Sequence, residues 1–158
     1  MPLQKLRDFL DENKIKYTTI SHSKAYTASQ VAHSAHISGR DIAKTVMIII
    51  DGRMAMAVLP ATEHVDFDLI KDAIGVKPIT LAKEEEFRSH FPKCEVGTMP
   101  PFGNIYGMEV YVDKSLAKDH EIAFNAGSHT ELIQMAYEDY DRLVMPYVIE
   151  FIMEEPVS

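Results

Sequence analysis

Three segments of this chain carry residue types that could do chemistry. The first is Lys44, which opens the apolar run Lys44-Thr45-Val46-Met47-Ile48-Ile49-Ile50. A lysine at the mouth of a buried strand sets a cation at the edge of a low-dielectric wall. There it can hold a phosphate or polarise a reacting group. It can equally be an exposed strand-start lysine that keeps a sheet soluble. The second is Gly97-Thr98-Met99-Pro100-Pro101-Phe102-Gly103. Two prolines fix φ and remove two donors, while the flanking glycines permit close backbone approach. The remaining N–H groups, at Thr98, Met99, Phe102 and Gly103, suit an oxygen that gains charge in a transition state. The other reading is a rigid crossover with Phe102 packed inside. The third is Asn125-Ala126-Gly127-Ser128-His129. A tight turn here ends in a histidine that can donate or accept a proton near neutral pH. It can also be a hairpin-end histidine with one structural hydrogen bond, with Asn125 and Ser128 as ordinary turn formers.

Other candidates are weaker. His33 and His36 share a helix face but lack a third metal ligand, so no metal site is expected. Cys94 has no electropositive setting, and Glu95 beside it would raise its pKa, so a packed, inert thiol is expected. The nine methionines are scattered and suit core gaps. Glu84–Glu86 reads as a solvated helix face.

The elements that must position these residues follow from periodicity. Leu3, Leu6, Phe9 and Leu10 mark an amphipathic helix ending near Asn13. Ile15–Ile20 is a strand. Thr27 and Gln30 fit a capping box for a helix to about Ile37, with Gly39 beyond its end. Two apolar runs around Asp51-Gly52 predict a hairpin. They are apolar on both faces, so this hairpin belongs at the centre of a sheet covered on both sides. Asp66 or Asp68 caps a helix through Ala73 that stops at Gly75. Glu84–His90 is a short charged helix. Strands follow at Glu109–Asp113, Glu121–Asn125 and Thr130–Met135, and a last helix at Asp139–Val144 precedes Pro146. The interleaving predicts a mixed α/β (α+β) domain and not a doubly wound parallel sheet. No Gly-rich phosphate loop of the Rossmann or Walker type is present.

Length and composition bound the function. A chain of 158 residues with 46% apolar residues suits one globular domain spanning residues 1–158. Sixteen basic and 24 acidic residues give a net charge of −8. That argues against coating duplex DNA or lying on anionic lipid. It leaves room for a local basic site, for which Arg40, Lys44 and Lys24 are the first cations and Lys71 and Lys77 the next. One cysteine excludes an internal disulfide and suits a reducing compartment. No export segment and no apolar run of membrane-spanning length is visible, so a cytoplasmic protein is expected.

Taken in order, Tyr26-Thr27-Ala28, Ala43-Lys44-Thr45-Val46, GTMPPFG and FNAGSHTEL resemble the YbaK/prolyl-tRNA editing family, the synthetase-associated deacylase domain. The resemblance runs from about residue 3 to residue 144. It implies a compact domain with a mixed, barrel-like sheet and helices packed outside. It also implies hydrolysis of the ester joining a wrong amino acid to the 3′ end of a tRNA, usually that for proline. On this resemblance Lys44 engages the tRNA 3′ terminus, and His129 binds substrate or helps place water. Substrate contacts fall to Tyr26, Thr45, Gly97, Thr98, Met99, Pro100, Pro101, Phe102, Gly103, Asn125, Gly127 and Ser128. Gly127-Ser128-His129 resembles the G-x-H element of the alanine-clearing branch, whereas Thr45 stands where its free-standing members often carry Asn. Cysteine- or serine-clearing members, or a non-catalytic module binding tRNA or a synthetase, are the alternatives. The implied partners are the acceptor end of an aminoacyl-tRNA and a prolyl-tRNA synthetase, with no cofactor.

Overall fold

The strongest local signal, Asp51-Gly52 between two apolar runs, forms the hairpin that organises the molecule. The computed structural model describes residues 4–21, 42–75, 78–91, 94, 98–128 and 130–153. Strands β1 (Tyr17–Ser21), β2 (Ile42–Ile50) and β3 (Arg53–Pro60) come first, then β4 (Ile79–Leu81) and β5 (Glu109–Asp113). Strands β6 (Glu121–Asn125), β7 (Glu131–Ala136) and β8 (Tyr147–Ile149) complete the set. Asp51 and Gly52 both have positive φ, 50° and 82°, as a two-residue primed turn requires. Ile50 therefore pairs with Arg53, and the register runs unbroken to Ala43 opposite Pro60.

The sheet path is β1-β7-β6-β2-β3-β5-β8, with β4 paired to the far end of β2. β2–β6, β3–β5 and β5–β8 are parallel, and the other pairs are antiparallel. The sheet is thus mixed, as expected. β2 and β3 lie at its centre and bury both faces. Met47, Met56, Val58 and Val112 face one core layer, which receives Leu6 and Leu10 of α1 (Gln4–Glu12) and Tyr137, Tyr140 and Val144 of α4 (Tyr137–Val144). Ile48, Ala55, Ala57, Leu59 and Tyr111 face the other, with Ile70 of α2 (Phe67–Ile74) and Phe151. The period-2 alternation explains why these strands read as continuous apolar runs.

Most predicted elements stand within two residues of their expected bounds. Asp66, not Asp68, caps α2: its carboxylate accepts from the Asp68 and Leu69 amides at 3.0 and 3.3 Å. The charged helix splits into α3 (Glu84–Phe87) and a 3-10 turn over Arg88–His90. Its carboxylates are exposed, and Glu84 pairs with Arg88. Two strands escaped prediction, β4 and β8. The predicted Thr27–Ile37 helix, with His33 and His36, lies outside the described residues, as do Tyr26, Lys24, Arg40, Lys77, Gly97 and His129.

Candidate functional site

Lys44 enters the site through strand pairing. β2 and β6 run parallel, with Ile42 beside Ala123 and Ala43 beside Phe124. The pairing ends one residue before Lys44 on β2 and Asn125 on β6. Alternation puts Lys44 on the face of Ile42, and Asn125 on the face of Ala123 and Leu132. Ile42, Ala123 and Leu132 pack together, so the two side chains share one face. Thr45 falls on the opposite face. Lys44 is half-buried, and burial lowers its pKa below the ordinary lysine value, partly offset by the Glu63 carboxylate in the turn after β3.

The loop and the turn meet through the backbone. Gly127, at φ 98°, donates its N–H to the Thr98 carbonyl at 3.0 Å. The Ala126 N–H closes the β6–β7 connection onto the Glu131 carbonyl at 3.2 Å. Within this turn the Ser128 hydroxyl lies 3.2 Å from the Thr130 hydroxyl and accepts from the Thr130 amide at 3.4 Å. The flanks of His129 are therefore braced. Lys44, Asn125, the Gly127-Ser128 turn and the Thr98 end of the loop gather where β2 begins and β6 ends.

The GTMPPFG loop differs from the open ligand cradle one reading supposed. Thr98 to Gly103 are all buried. The Phe102 amide donates to the Pro100 carbonyl at 2.8 Å, which takes it out of the expected set of ligand donors. The Phe102 ring is fully buried among Phe9, Phe124 and Tyr140, at centroid distances of 6.0, 5.4 and 5.3 Å. Gly103 is needed for internal packing. A Cβ there would stand 2.5 Å from the Met108 carbonyl oxygen and 2.6 Å from a Val110 methyl. The buried Tyr140 hydroxyl donates to the Pro101 carbonyl at 2.7 Å.

Cys94 is half-buried, and burial pushes its thiol pKa up, against a smaller lowering by its hydrogen bond with Tyr106. Inertness was the expectation, but burial is the larger cause, ahead of any charge beside it. A cleft of about 840 Å³ lies at the hairpin tip between Arg53, Met54, His90, Tyr106 and Glu109. That is the far end of β2 from Lys44, roughly 20 Å along the strand at ~3.3 Å per residue. A smaller cleft of about 390 Å³ involves Pro60, Glu63, Ser115 and Lys118. Among the described residues no group of His, Cys, Asp and Glu is arranged to hold a metal ion. No helix among them is long and apolar enough to cross a membrane.

Sequence reasoning missed Glu63, Tyr140 and the buried Glu131. Tyr137 and Tyr140, three apart on an amphipathic helix, did signal a core face; the hydroxyl's partner did not show.

Comparison with known proteins sharpens the picture. A candidate trans-editing enzyme for prolyl-tRNA synthetase superposes with a TM-score of 0.82 at 17% identity, over 96% of each chain. The prolyl-tRNA editing protein ProX of Acetoanaerobium sticklandii is 27% identical over 142 residues, covering 85% of each chain. The multifunctional Ser/Thr-tRNA deacylase ProXp-y of Escherichia coli K12 is 25% identical over 156 residues, covering 94% of this chain and 91% of its own. The aminoacyl-tRNA editing domain profile matches residues 22–143, a span that contains Lys44, the loop and the turn, and so this chain belongs to the aminoacyl-tRNA editing domain family.

Proposed function

We propose that this protein is a trans-acting aminoacyl-tRNA deacylase that clears alanine from the tRNA for proline. The observation that carries the reading is the Gly127 to Thr98 hydrogen bond, which joins the turn to the loop beside Lys44. In the reaction a water oxygen attacks the ester carbonyl, the bond to the ribose oxygen breaks, and that oxygen takes a proton. Free amino acid and uncharged tRNA leave. The ester is already activated, so a placed water and a stabilised oxyanion suffice, with no strong nucleophile.

Lys44 supplies the cation for the 3′ terminus, and its half-buried state strengthens its hold on a phosphate by lowering the local dielectric. His129 binds substrate or places the water. Tyr26, Asn125, Ser128 and the loop shape the surroundings of the amino acid, whereas Thr45 faces away from Lys44 and Asn125. A synthetase rejects a smaller amino acid poorly, because one methylene is worth only ~1–3 kcal/mol. A second, smaller pocket admits alanine and excludes proline. The net charge of −8 suits an enzyme that grips only the acceptor end, and a prolyl-tRNA synthetase that holds the rest of the tRNA is the fitting partner.

A second reading has its own support. The Escherichia coli relative is named for serine and threonine, and its identity is close to that of ProX. The test is single-turnover hydrolysis of tRNA for proline charged in turn with alanine, cysteine, serine, threonine and proline. Fast loss of alanine with proline spared is the expected result. Loss of serine and threonine instead moves the specificity and keeps the chemistry. tRNA binding with no turnover would make the protein a binding module.

A further inference from the structure

The geometry points to Tyr140 as a specificity-setting positioning residue that acts through the Pro101 carbonyl; this rests on the deacylase reading above. Two observations meet on it, and two more concern the loop it touches. Its hydroxyl is buried and donates to Pro101 at 2.7 Å, across 39 residues of sequence. Its ring stands edge-on to Phe102 at 5.3 Å and 88°. The next residue after Phe102 is Gly103, pinned against Met108 and Val110. The other end of the loop is tied by the Thr98 carbonyl to Gly127.

Among the described residues the loop is held at Thr98, Pro101 and Gly103, and the hold at Pro101 comes from one side-chain atom. Thr98 is fixed by backbone and Gly103 by contact, but the Pro100-Pro101 step has no N–H of its own to anchor it. Of its two carbonyls, that of Pro100 is occupied by the Phe102 amide within the loop, and that of Pro101 by Tyr140. On the deacylase reading the loop backs the small pocket, and such a sieve discriminates by the position of a rigid wall. Removing the one oxygen that fixes the wall's midpoint lets it yield to a larger substrate. The ring of Phe102 can stay packed while this happens, because Phe9 and Phe124 hold it from other sides.

Tyr140→Phe keeps the ring and removes only the hydroxyl. The readout is the ratio of single-turnover rates on alanyl- and prolyl-tRNA for proline. The ratio should fall about tenfold, with the KM for tRNA unchanged, since Lys44 and the acceptor end are untouched. Ile70→Val, in the opposite core layer, is the control for stability alone and should leave the ratio at the wild-type value. A wild-type ratio in Tyr140→Phe, or an equal fall in Ile70→Val, would overturn the inference. Should Tyr140→Phe not fold, the half-buried Phe9→Leu loosens the same loop through Phe102 and must narrow the ratio in the same direction. A wild-type enzyme that hydrolyses none of the five charged tRNAs refutes the parent reading instead, which keeps the two failures apart.

Discussion

The two ends of the β2–β3 hairpin offer opposite things. At the tip, around Asp51–Arg53, lies a cleft of about 840 Å³, lined by Asp51, Arg53, His90 and Glu109 among apolar residues. At the base, Lys44 and Leu59 face each other across the pair, and β6 delivers Asn125 and the Gly127 turn beside them. The wider cleft sits at the tip, and the residues of the proposed site meet at the base, where the cleft at Pro60 and Glu63 is about 390 Å³. The tip cleft exists because β3 pairs with β5 only from Ala55 onward, which leaves the hairpin turn standing clear of the start of β5. The base is tight because three chain segments are tied there. A cavity alone does not locate a catalytic site; what does is polar groups held by independent structural ties.

The sharpest way to break this comparison is charge removal at each end. Lys44→Ala should lower single-turnover hydrolysis by about a hundredfold or more, the scale seen when one electrostatic partner of a developing charge is lost. Its denaturant midpoint should stay near wild type, since a half-buried lysine contributes little to folding. Arg53→Ala at the tip should leave the rate within about twofold, as expected for an exposed surface position. If the two variants change places, the site lies in the large cleft.

Two glycines make the next test. Gly103 has no room for a Cβ, whereas Gly52 has open space but φ of +82°. Overpacking against a backbone oxygen should cost Gly103→Ala about 1–3 kcal/mol or more, and a left-handed alanine should cost Gly52→Ala about 1–2 kcal/mol. Urea unfolding orders them. Gly103→Ala should also slow hydrolysis, because the loop moves with it, while Gly52→Ala should not.

Legibility in the sequence followed the range of the forces involved. The Asp51-Gly52 hairpin and the Leu6, Phe9 and Leu10 stripe of α1 are local patterns that stand at their expected places, and of the two aspartates offered as caps the structure uses Asp66. β4 and β8 are three-residue strands after Pro78 and Pro146, too short to show a period. They form because β2 offers Ile48–Ile50 and β5 offers Tyr111–Asp113 as free edges. The site divides in the same way. Each of its three segments was visible as residue chemistry. Their meeting was not, because it rests on a parallel β2–β6 pairing across some 80 residues and on one hydrogen bond from Gly127 to Thr98. Such pairings carry no local signature. The GTMPPFG loop shows the remaining ambiguity. Its glycines and prolines read equally as a ligand cradle or a packed crossover. Only the contacts of Gly103 and Phe102 show how much of it is packing.

The smallest predicted effect concerns the counter-charge at the base. Burial lowers the pKa of Lys44 from its ordinary 10.5, and the Glu63 carboxylate raises it part of the way back. On the proposed reading Lys44 works as a cation, so hydrolysis should fall as pH rises through its folded-state pKa, below the ordinary value. Glu63→Gln removes the carboxylate that favours the charged lysine, so the alkaline limb should move to lower pH. At neutral pH the same variant should bind tRNA slightly more tightly, since a carboxylate that opposes a polyanion is gone. The two shifts have opposite signs, and salt should weaken the second more than the first. Unfolding does not mimic the limb. A lysine whose pKa is depressed in the fold binds fewer protons there than in the unfolded chain, so its contribution to stability rises with pH across this window. The measurement is the pH profile of single-turnover kcat/KM, corrected for spontaneous ester hydrolysis at each pH. An alkaline limb that stays in place in Glu63→Gln would mean that the group titrating there is not Lys44, and the base of the hairpin would lose its claim to the reacting end of the substrate.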